Sequence, residues 1–396
     1  MTPSPRPTAP LCADSRWSGA RSHRRREALV SAVLFTGFPG FLGSALLPRT
    51  LRRDPEARAV ALVQERWLGR AREALAEIER GDPAIAGRTD LVVGDITTPG
   101  LGLDDVVRDR LLDEPLEIFH LAAVYDLSVA ADVAWRVNVD GTRHVVALAR
   151  AAADGAGLRR LQYVSTCYVS GRYDGLFFED DLELGQPFSN HYDHTKHEAE
   201  RVVAKARDAG LPVTIYRPSV VVGDSTTGRT QKFDGPYYVL QLLLRQRGTA
   251  LMPLPRGADR VAFNLVPSDF VVDGIAALAG HDAALGRTVA LAQPDPPTVV
   301  EMSEAFARQA GRRLRAVPMP TGLAAFGIDH VPGVGRLFKV PSSTLEYLTH
   351  PTLYDTTATT ALLVEVGVRC PTFAEHVGPM VEFFRANPDV GSAAMV

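Results

Sequence analysis

Cysteine is scarce in this sequence, and its spacing excludes two classes of small, cross-linked protein. The 396 residues include three cysteines, Cys12, Cys167 and Cys370, which are far apart and odd in number. None of them belongs to a C-x-x-C pair, so the pattern gives neither a disulfide framework nor a zinc knuckle. A reducing, cytoplasmic compartment is the simpler interpretation of so few thiols.

Long apolar runs and a strong net charge are missing as well. No segment reaches the ~18 uninterrupted apolar residues of a membrane span. The net charge of -3 gives no reason to expect a nucleic-acid-binding surface over the body of the protein. The hydrophobic share of 46% and the charged share of 22% are typical of a soluble globular protein.

The N-terminal residues 1–28 are rich in Pro, Ser and Arg and contain the basic triplet Arg24–Arg26. The apolar run Leu29–Leu47 follows, and basic residues before such a run are typical of an export signal. The glycines and Pro39 inside the run indicate another role for it. We therefore expect residues 1–28 to be a disordered basic tail, and peripheral contact with anionic lipid is left open.

Short apolar runs alternate with longer helical patterns from residue 32 to residue 216. Near-continuous apolar strands separated by helices are typical of a parallel sheet that is covered on both faces. The predicted strands are Ala32–Thr36, Ala59–Val63, Leu91–Gly94, Glu117–Leu121, Leu161–Ser165 and Val213–Tyr216. The predicted helices include Phe41–Arg53, Arg66–Arg80, Trp135–Ala153 and His194–Ala209. This alternation predicts the doubly wound α/β, or Rossmann, class.

The same pattern predicts two interleaved regions. We expect residues 29–222 to form an NAD(P)-binding Rossmann domain and residues 223–396 to form a smaller, substrate-binding C-terminal region. A strand-then-helix pattern over Phe263–Ala279 and a strand at Val289–Leu291 predict that about 260–293 returns to the Rossmann sheet.

Three glycines stand three residues apart between the first predicted strand and helix. Gly37 permits a sharp turn, Gly40 lets the backbone approach a diphosphate, and Gly43 lets helix and strand pack closely. The start of the helix adds free N–H groups and the positive end of a dipole. We expect the whole loop to bind a dinucleotide, namely Thr36, Gly37, Phe38, Pro39, Gly40, Phe41, Leu42 and Gly43.

Residues after the next two strands should select the cofactor. Asp95, with its neighbour Ile96, follows the third strand and could accept a hydrogen bond from the adenine amino group. Glu65, after the second strand, favours NAD, because a carboxylate binds the ribose 2′-hydroxyl. Arg66 and Arg70 favour NADP, because they would neutralise a 2′-phosphate. We expect NADPH, and NADH stays open.

Tyr192 and Lys196 lie four residues apart where a helix begins, so both side chains share one helix face. A tyrosine has an ordinary pKa of ~10, which a nearby ammonium would lower. Thr166 ends the fifth strand and is placed to hydrogen-bond a substrate carbonyl, with Ser165 as the alternate donor. We therefore predict that Thr166, Tyr192 and Lys196 are catalytic and that Lys196 also holds the nicotinamide ribose.

These motifs occur in the order found in the extended short-chain dehydrogenases/reductases, and the chain resembles that family over residues 31–295. The shared stretches are the glycine loop, Asp95, His120–Ala123, Asn138–Thr142, Ser165–Thr166, the Tyr192/Lys196 pair and Arg217–Pro218. The resemblance implies cofactor contacts from Ala122, Ala123 and Asn138. It also implies that the nicotinamide is flanked by Pro218, Ser219 and Val220.

Three stretches are most similar to fatty acyl-CoA reductases and to the thioester-reductase domains of carboxylic acid reductases. They are Thr36–Gly43, Asn264–Val271 and the ending Gly367–Pro371 to Phe383–Phe384. This likeness implies that NADPH reduces an acyl thioester to an aldehyde, and a second round would give the alcohol. Two alternatives stay open. One is an epimerase, dehydratase or dehydrogenase acting on a sugar nucleotide or hydroxysteroid, and the other is a cofactor-sensing protein without turnover.

Other residues have two interpretations each. Cys167 could form a covalent acyl-enzyme or pack behind the sheet. His191, His194 and His197 lack a metal-binding spacing, so we expect no metal, and His191 is a candidate substrate contact. The apolar stretches 322–326 and 331–334 could line an acyl channel, meet a membrane or belong to ordinary core. A homo-oligomer is left open.

Overall fold

The computed structural model describes residues 32–125, 129–320 and 348–391. The predicted basic tail and the apolar stretches 322–326 and 331–334 lie outside the described residues. Among the residues that are described, no helix combines the length and the apolar character needed to cross a bilayer.

Seven parallel strands form the central sheet, in the order β3-β2-β1-β4-β5-β7-β11. The strands within the described residues are β1 (Ala32–Thr36), β2 (Arg58–Val63), β3 (Thr89–Val93), β4 (Leu116–His120), β5 (Leu158–Val164), β6 (Gly175–Phe177), β7 (Val213–Pro218), β8 (Val220–Val222), β9 (Thr249–Pro255), β10 (Leu265–Pro267), β11 (Thr288–Leu291), β12 (Arg313–Met319) and β13 (Thr352–Tyr354). This sheet confirms the doubly wound parallel class. The six other strands pair as β10-β8, β12-β9 and β13-β6.

Helices cover both faces of the sheet. The helices in the described residues are α1 (Phe41–Arg53), α2 (Leu68–Gly81), α3 (Asp105–Leu112), α4 (Ala131–Trp135), α5 (Gly141–Asp154), α6 (His191–Asp208), α7 (Pro236–Arg245), α8 (Ser268–Ala279), α9 (Val299–Gln309), α10 (Thr357–Glu365) and α11 (Phe373–Ala386). Side chains of α1 and α8 share one apolar core, while side chains of α5 and α6 share the core on the opposite face. The sheet is therefore buried on both sides, which explains its near-continuous apolar strands.

A third apolar core lies in the C-terminal region. It includes Leu240 of α7, Met252 of β9, Phe306 of α9 and Met380 of α11. The main sheet meanwhile takes its outer strand, β11, from the interval 260–293. β10, by contrast, pairs with β8 outside the main sheet. The domain boundaries drawn from the sequence stay a prediction.

The helix that carries Tyr192 and Lys196 begins at His191, three residues before the predicted start at His194. Asn190 caps it, because its side-chain oxygen accepts a hydrogen bond from the backbone N–H of Asp193 at 2.9 Å. Tyr192 is thus the second residue of α6, and Lys196 follows one turn later.

The turn between β1 and α1 depends on glycine at two places. Gly37 has φ +90°, and a Cβ there would lie 2.8 Å from the backbone nitrogen of Ala122. A Cβ on Gly43 would lie 2.5 Å from the carbonyl oxygen of Gly37. Strand, loop and helix can approach this closely only without side chains at these positions.

Gly43→Ala should therefore destabilise the fold by about 1–3 kcal/mol, because the new methyl group overlaps backbone that cannot move aside. The measurement is thermal unfolding followed by circular dichroism. Gly69→Ala is the matched control, since a Cβ at Gly69 in α2 meets no atom within 4 Å. Equal melting temperatures for the two variants would contradict the steric argument.

Candidate active site

The glycine loop places bare backbone at the carboxyl edge of the sheet. Gly40 is the N-cap of α1 and donates its N–H to the carbonyl of Gly37 at 2.9 Å. The N–H groups of the first helical turn have no helical acceptor and point out of the helix end. Phe38 and Pro39 are buried, and Phe41 and Leu42 are half-buried at the start of α1. Such a cradle suits a diphosphate.

A cleft of about 460 Å³ opens at the carboxyl ends of β2 and β3. Ligands of doubly wound sheets bind at this edge. The cleft is lined by Gln64, Glu65, Arg66, Val93, Gly94, Asp95, Thr98 and Gly102. Three of the residues proposed for cofactor selection, Glu65, Arg66 and Asp95, thus share one cleft, whereas Arg70 lies exposed on α2 and does not line it.

Polar side chains within this cleft are joined in a row. Gln64 donates from Nε2 to Oδ2 of Asp95 at 2.9 Å, and Arg66 donates from Nε to Oε1 of Gln64 at 2.9 Å. The other oxygen of Asp95 accepts from the backbone and side chain of Thr97, each at 2.8 Å. Arg66 also lies over the ring of Trp67, with 5.5 Å to the centroid. Gln64 therefore orients the Arg66 guanidinium at the rim.

Ile96 is placed differently from the prediction. Its side chain is buried against α5, where a Cβ on Gly141 would lie 2.7 Å from its Cδ1 atom. Its carbonyl contacts Nδ1 of His144 at 2.8 Å. Ile96 thus packs in the core beneath the cleft.

Asn138 links the loop after β4 to helix α6. Its Oδ1 accepts from the N–H of Val124 at 2.8 Å, while Nδ2 donates to the Val124 carbonyl and to Oγ1 of Thr195, each at 3.0 Å. Both amide hydrogens are therefore used within the protein, so Asn138 shapes the site rather than donating to a cofactor. Ala122 and Ala123 are half-buried in the same loop, and Ala122 donates its N–H to Oγ1 of Thr36 at 3.2 Å.

The structure brings Thr166 and Tyr192 together. The two hydroxyls are close enough to influence each other, and Thr166 is buried while Tyr192 is half-buried. Thr166 Oγ1 also accepts from the N–H of Tyr168 at 3.3 Å, which fixes its rotamer at the end of β5. Two hydroxyls thus converge where a carbonyl oxygen could accept from both.

The expected lowering of the Tyr192 pKa is wrong. Burial raises the pKa of Tyr192, the Asp193 carboxylate raises it further, and only the hydrogen bond with Thr166 lowers it. Lys196 does not counter this, because its ammonium is directed elsewhere. Tyr192 is therefore protonated at neutral pH.

Lys196 lies deep in the same site. Its Nζ donates to the hydroxyl of Tyr163 at 3.0 Å and to the carbonyl of Val164 at 2.9 Å. Burial lowers the pKa of Lys196 to about 8, although Glu200 one helical turn away raises it. Within the described residues these two acceptors use two of its three N–H groups, which leaves one for a ligand.

Ser165 does not face the place proposed for a substrate carbonyl. Its hydroxyl donates to Oε2 of Glu200 at 2.5 Å, and its side chain is buried. Glu200 also pairs with Arg217, from Oε1 to Nη2 at 2.5 Å, with both side chains almost fully buried. The carboxylate binds Ser165 firmly, so Thr166 is the better placed of the two predicted donors.

Cys167 packs behind the sheet, which was the second of the two interpretations drawn from the sequence. Its Sγ contacts the Arg217 carbonyl at 3.1 Å, and burial raises its pKa far above the usual range. A thiol held neutral in this way is a poor nucleophile.

The three histidines of α6 do not point to one common site. His191 is exposed at the start of α6, whereas His194 and His197 pack against the ring of Phe188, with centroids 5.2 Å and 4.8 Å away. Among the residues with a described position, no three metal-ligating side chains are grouped to hold an ion.

A dinucleotide fits the groups at the end of β7. Pro218 and Ser219 are buried and Val220 is half-buried. Ser219 Oγ is buried, and no hydrogen-bond partner for it exists among the described residues. A buried hydroxyl without a partner costs free energy unless a ligand satisfies it. This hydroxyl, the bare glycine loop and the remaining N–H of Lys196 together suit a nicotinamide cofactor.

Sequence reasoning missed two residues that hold the site. Tyr163 looks like one more apolar residue of a buried strand, yet its hydroxyl contacts Lys196. Glu200 follows Lys196 by four residues, so Tyr192, Lys196 and Glu200 share one helix face. The four-residue spacing could have identified Glu200 from the sequence. No neighbouring residue in the sequence indicates the role of Tyr163.

Comparison with known proteins agrees with this geometry. The family model described as male sterility protein, an NAD-binding family, matches residues 35–275. Carboxylic acid reductase of Mycobacterium tuberculosis is 27% identical over 64% of this chain and 24% of that protein. Fatty acyl-CoA reductase wat of Drosophila melanogaster is 25% identical over 62% of this chain and 53% of that enzyme. The chain thus spans about a quarter to a half of the length of these relatives.

Among solved structures, the terminal R domain of the myxalamid PKS-NRPS biosynthetic pathway is similar with a TM-score of 0.76 and 27% identity. The likeness covers 93% of this chain and 94% of that one. The family match spans more than half of the residues and confirms the resemblance seen in the motifs. The chain therefore belongs to the NAD-binding male sterility protein family, within the extended short-chain dehydrogenases/reductases.

Proposed function

We propose that this chain reduces an acyl thioester to an aldehyde with NAD(P)H, using Thr166, Tyr192 and Lys196. The observation that carries the proposal is that Thr166 and Tyr192 bring their hydroxyls together, with Lys196 one turn further along α6. The names of the relatives support it, because they act on carboxylic acids and fatty acyl-CoA. Both acyl-CoA and a carrier-bound acyl thioester fit the proposal.

A bound nicotinamide cofactor would supply a hydride to the carbonyl carbon of the thioester. Thr166 and Tyr192 hold the carbonyl oxygen while negative charge develops on it. Tyr192 then donates its proton to that oxygen, which gives a hemithioacetal. The hemithioacetal then collapses to aldehyde and thiol: its hydroxyl proton returns to the Tyr192 phenolate, the C–S bond breaks, and the leaving thiolate takes a proton from solvent. Tyr192 is protonated before hydride transfer, as a proton donor must be.

The acid role of Tyr192 predicts a large loss in Tyr192→Phe. We expect kcat to fall by about 10²–10⁴-fold, because the phenyl ring cannot donate a proton. The measurement is NADPH oxidation with long-chain acyl-CoA. Tyr216→Phe is the matched control, since the hydroxyl of Tyr216 donates to Gln162 at 2.9 Å, away from Tyr192. Full turnover in Tyr192→Phe would refute the assignment.

The same assay tests the substrate class. Net NADPH oxidation with acyl thioesters and none with UDP-sugars or hydroxysteroids supports the proposal. Interconversion of UDP-sugars without net change in cofactor absorbance would identify an epimerase instead. Binding of NADPH with no turnover on any of these substrates would indicate a cofactor-sensing protein without catalytic activity.

Lys196 gives the reaction a pH dependence. Its pKa is lowered to about 8, so the ammonium is present below that pH and is lost as pH rises through it. We expect kcat/KM for the thioester to fall above pH about 8. Lys196→Arg stays charged throughout this range, so its residual turnover should lack that decline. A wild-type rate that stays level up to the ordinary pKa of lysine would contradict this use of Lys196.

We further propose that NADPH is preferred over NADH through Arg66. Its guanidinium is exposed at the cleft rim and oriented by Gln64, which suits a 2′-phosphate. Arg66→Ala should raise the KM for NADPH about tenfold to a hundredfold and leave the KM for NADH unchanged, because a charge-assisted hydrogen bond is lost. Arg70→Ala is the control, since Arg70 does not line the cleft. Equal effects on the two cofactors would count against this preference.

A further inference from the structure

Tyr163 holds a place in the site that the proposed reaction does not by itself explain. It lies on β5 with its side chain 1% exposed, and its hydroxyl is 3.0 Å from Nζ of Lys196. The ammonium is also 4.6 Å from the centroid of the Tyr163 ring. One buried tyrosine thus contacts the catalytic cation with both its hydroxyl and its ring.

The direction of this hydrogen bond is fixed by the neighbours of Tyr163. The side chains of Thr142 and Ser165 lie near the same hydroxyl and can accept its proton. Burial raises the pKa of Tyr163 well above its ordinary value, so the hydroxyl keeps its proton. Lys196 has hydrogens to give and no lone pair, and therefore Tyr163 accepts from Lys196 and donates its own proton to Thr142 or Ser165.

Thr142 connects Tyr163 to the glycine loop. Its hydroxyl donates to the carbonyl of Asn138 at 2.6 Å and contacts Nε2 of His120 at 3.0 Å. On the other side of the ring, Nδ1 of His120 contacts Oγ1 of Thr36 at 2.7 Å. The row Lys196–Tyr163–Thr142–His120–Thr36 therefore runs from the catalytic helix to the first residue of the loop.

The hydrogens from Thr142 to Thr36 can be assigned. Thr142 gives its one proton to the carbonyl of Asn138, so it accepts from Nε2 of His120. Burial and the charge of Lys196 lower the pKa of His120 to about 3, so the ring is neutral at working pH and its Nδ1 accepts from the hydroxyl of Thr36. Beyond Lys196 the row thus consists of neutral groups held by hydrogen bonds, and it serves to position the ammonium.

We propose that Tyr163 is a positioning residue that holds the Lys196 ammonium at the end of β5, where its remaining N–H would serve the nicotinamide ribose. The proposal rests on the function proposed above, since it gives that ammonium a role in turnover. Thr142, His120 and Thr36 anchor Tyr163, so the position of the cation is tied to the loop that would bind the diphosphate.

Tyr163→Phe tests the proposal, because it keeps the ring and removes only the hydroxyl. Tyr216→Phe is the matched control. Tyr216 is also a fully buried tyrosine of the sheet, and its hydroxyl donates to Gln162, but its ring packs in the core on the opposite face. A general loss of stability from a missing buried hydroxyl should therefore appear in both variants alike.

The first readout needs neither substrate nor cofactor. The chain has four lysines, Lys196, Lys205, Lys232 and Lys339, so carbon-13 labelling at the lysine Cε position gives four signals to follow with pH by NMR. Lys196→Arg assigns the signal of interest. Glu200 on α6 and His120 at the end of β4 also face this ammonium and are unchanged in both variants. In Tyr163→Phe the Lys196 midpoint should move to lower pH by about half a unit or more, because an acceptor for the charged form is lost.

The second readout is turnover. We expect kcat/KM for NADPH-dependent thioester reduction to fall about tenfold or more in Tyr163→Phe, because the cation is misplaced, and to stay near wild type in Tyr216→Phe. An inactive wild type would refute the proposed function, while the NMR titration would still decide whether Tyr163 holds Lys196. An unmoved Lys196 midpoint, or turnover equal to that of Tyr216→Phe, would overturn the proposal.

Discussion

Burial of one ammonium organises the candidate site. Removing a charge from water costs several kcal/mol unless fixed partners replace the solvent. Lys196 is 3% exposed, and its partners come from β5 through Tyr163 and Val164 and from its own helix through Glu200. Helix α6 and strand β5 must keep their relative positions for this charge to be tolerated. The same requirement keeps Tyr192 beside Thr166, because Tyr192 lies on α6 and Thr166 follows β5 by two residues.

The carboxylate that balances this charge extends the constraint to β7. Glu200 pairs with Arg217, and Arg217 also donates to the backbone carbonyls of Glu179 and Asp181, at 3.0 Å and 2.7 Å. The side chain of Glu179 in turn accepts from the N–H of Thr359 at 2.8 Å. A chain of charged and polar contacts therefore fixes the segment between β5 and α6. The candidate catalytic side chains gain their geometry from this buried framework rather than from the surface of the cleft.

The sequence predicted those parts of the molecule that depend on local pattern. Helix α1 runs from Phe41 to Arg53 as predicted, because a glycine turn starts it and its apolar spacing continues to the end. The start of α6 was placed three residues late, because its apolar pattern begins after the Asn190 cap. The direction in which the Tyr192 pKa shifts could not be predicted, because it depends mainly on how deeply the hydroxyl is buried. Only the three-dimensional structure shows that burial. Tyr163 was missed for the same reason, because a tyrosine in an apolar strand shows its hydroxyl partner only in three dimensions.

The pairing of β6 with β13 also governs when the site can form. Thr352 in β13 donates from its hydroxyl to the carbonyl of Tyr173 at 2.5 Å, across 179 residues of chain. Contacts between such distant residues form late, because the loop between them must close first. A chain leaving the ribosome exposes its N-terminal part first, so the glycine loop and the first strands can assemble while the partner of β6 is still being made. The cofactor cradle should thus exist during synthesis before the segment after Thr166 is fixed, and catalytic competence should be among the last properties that the growing chain acquires.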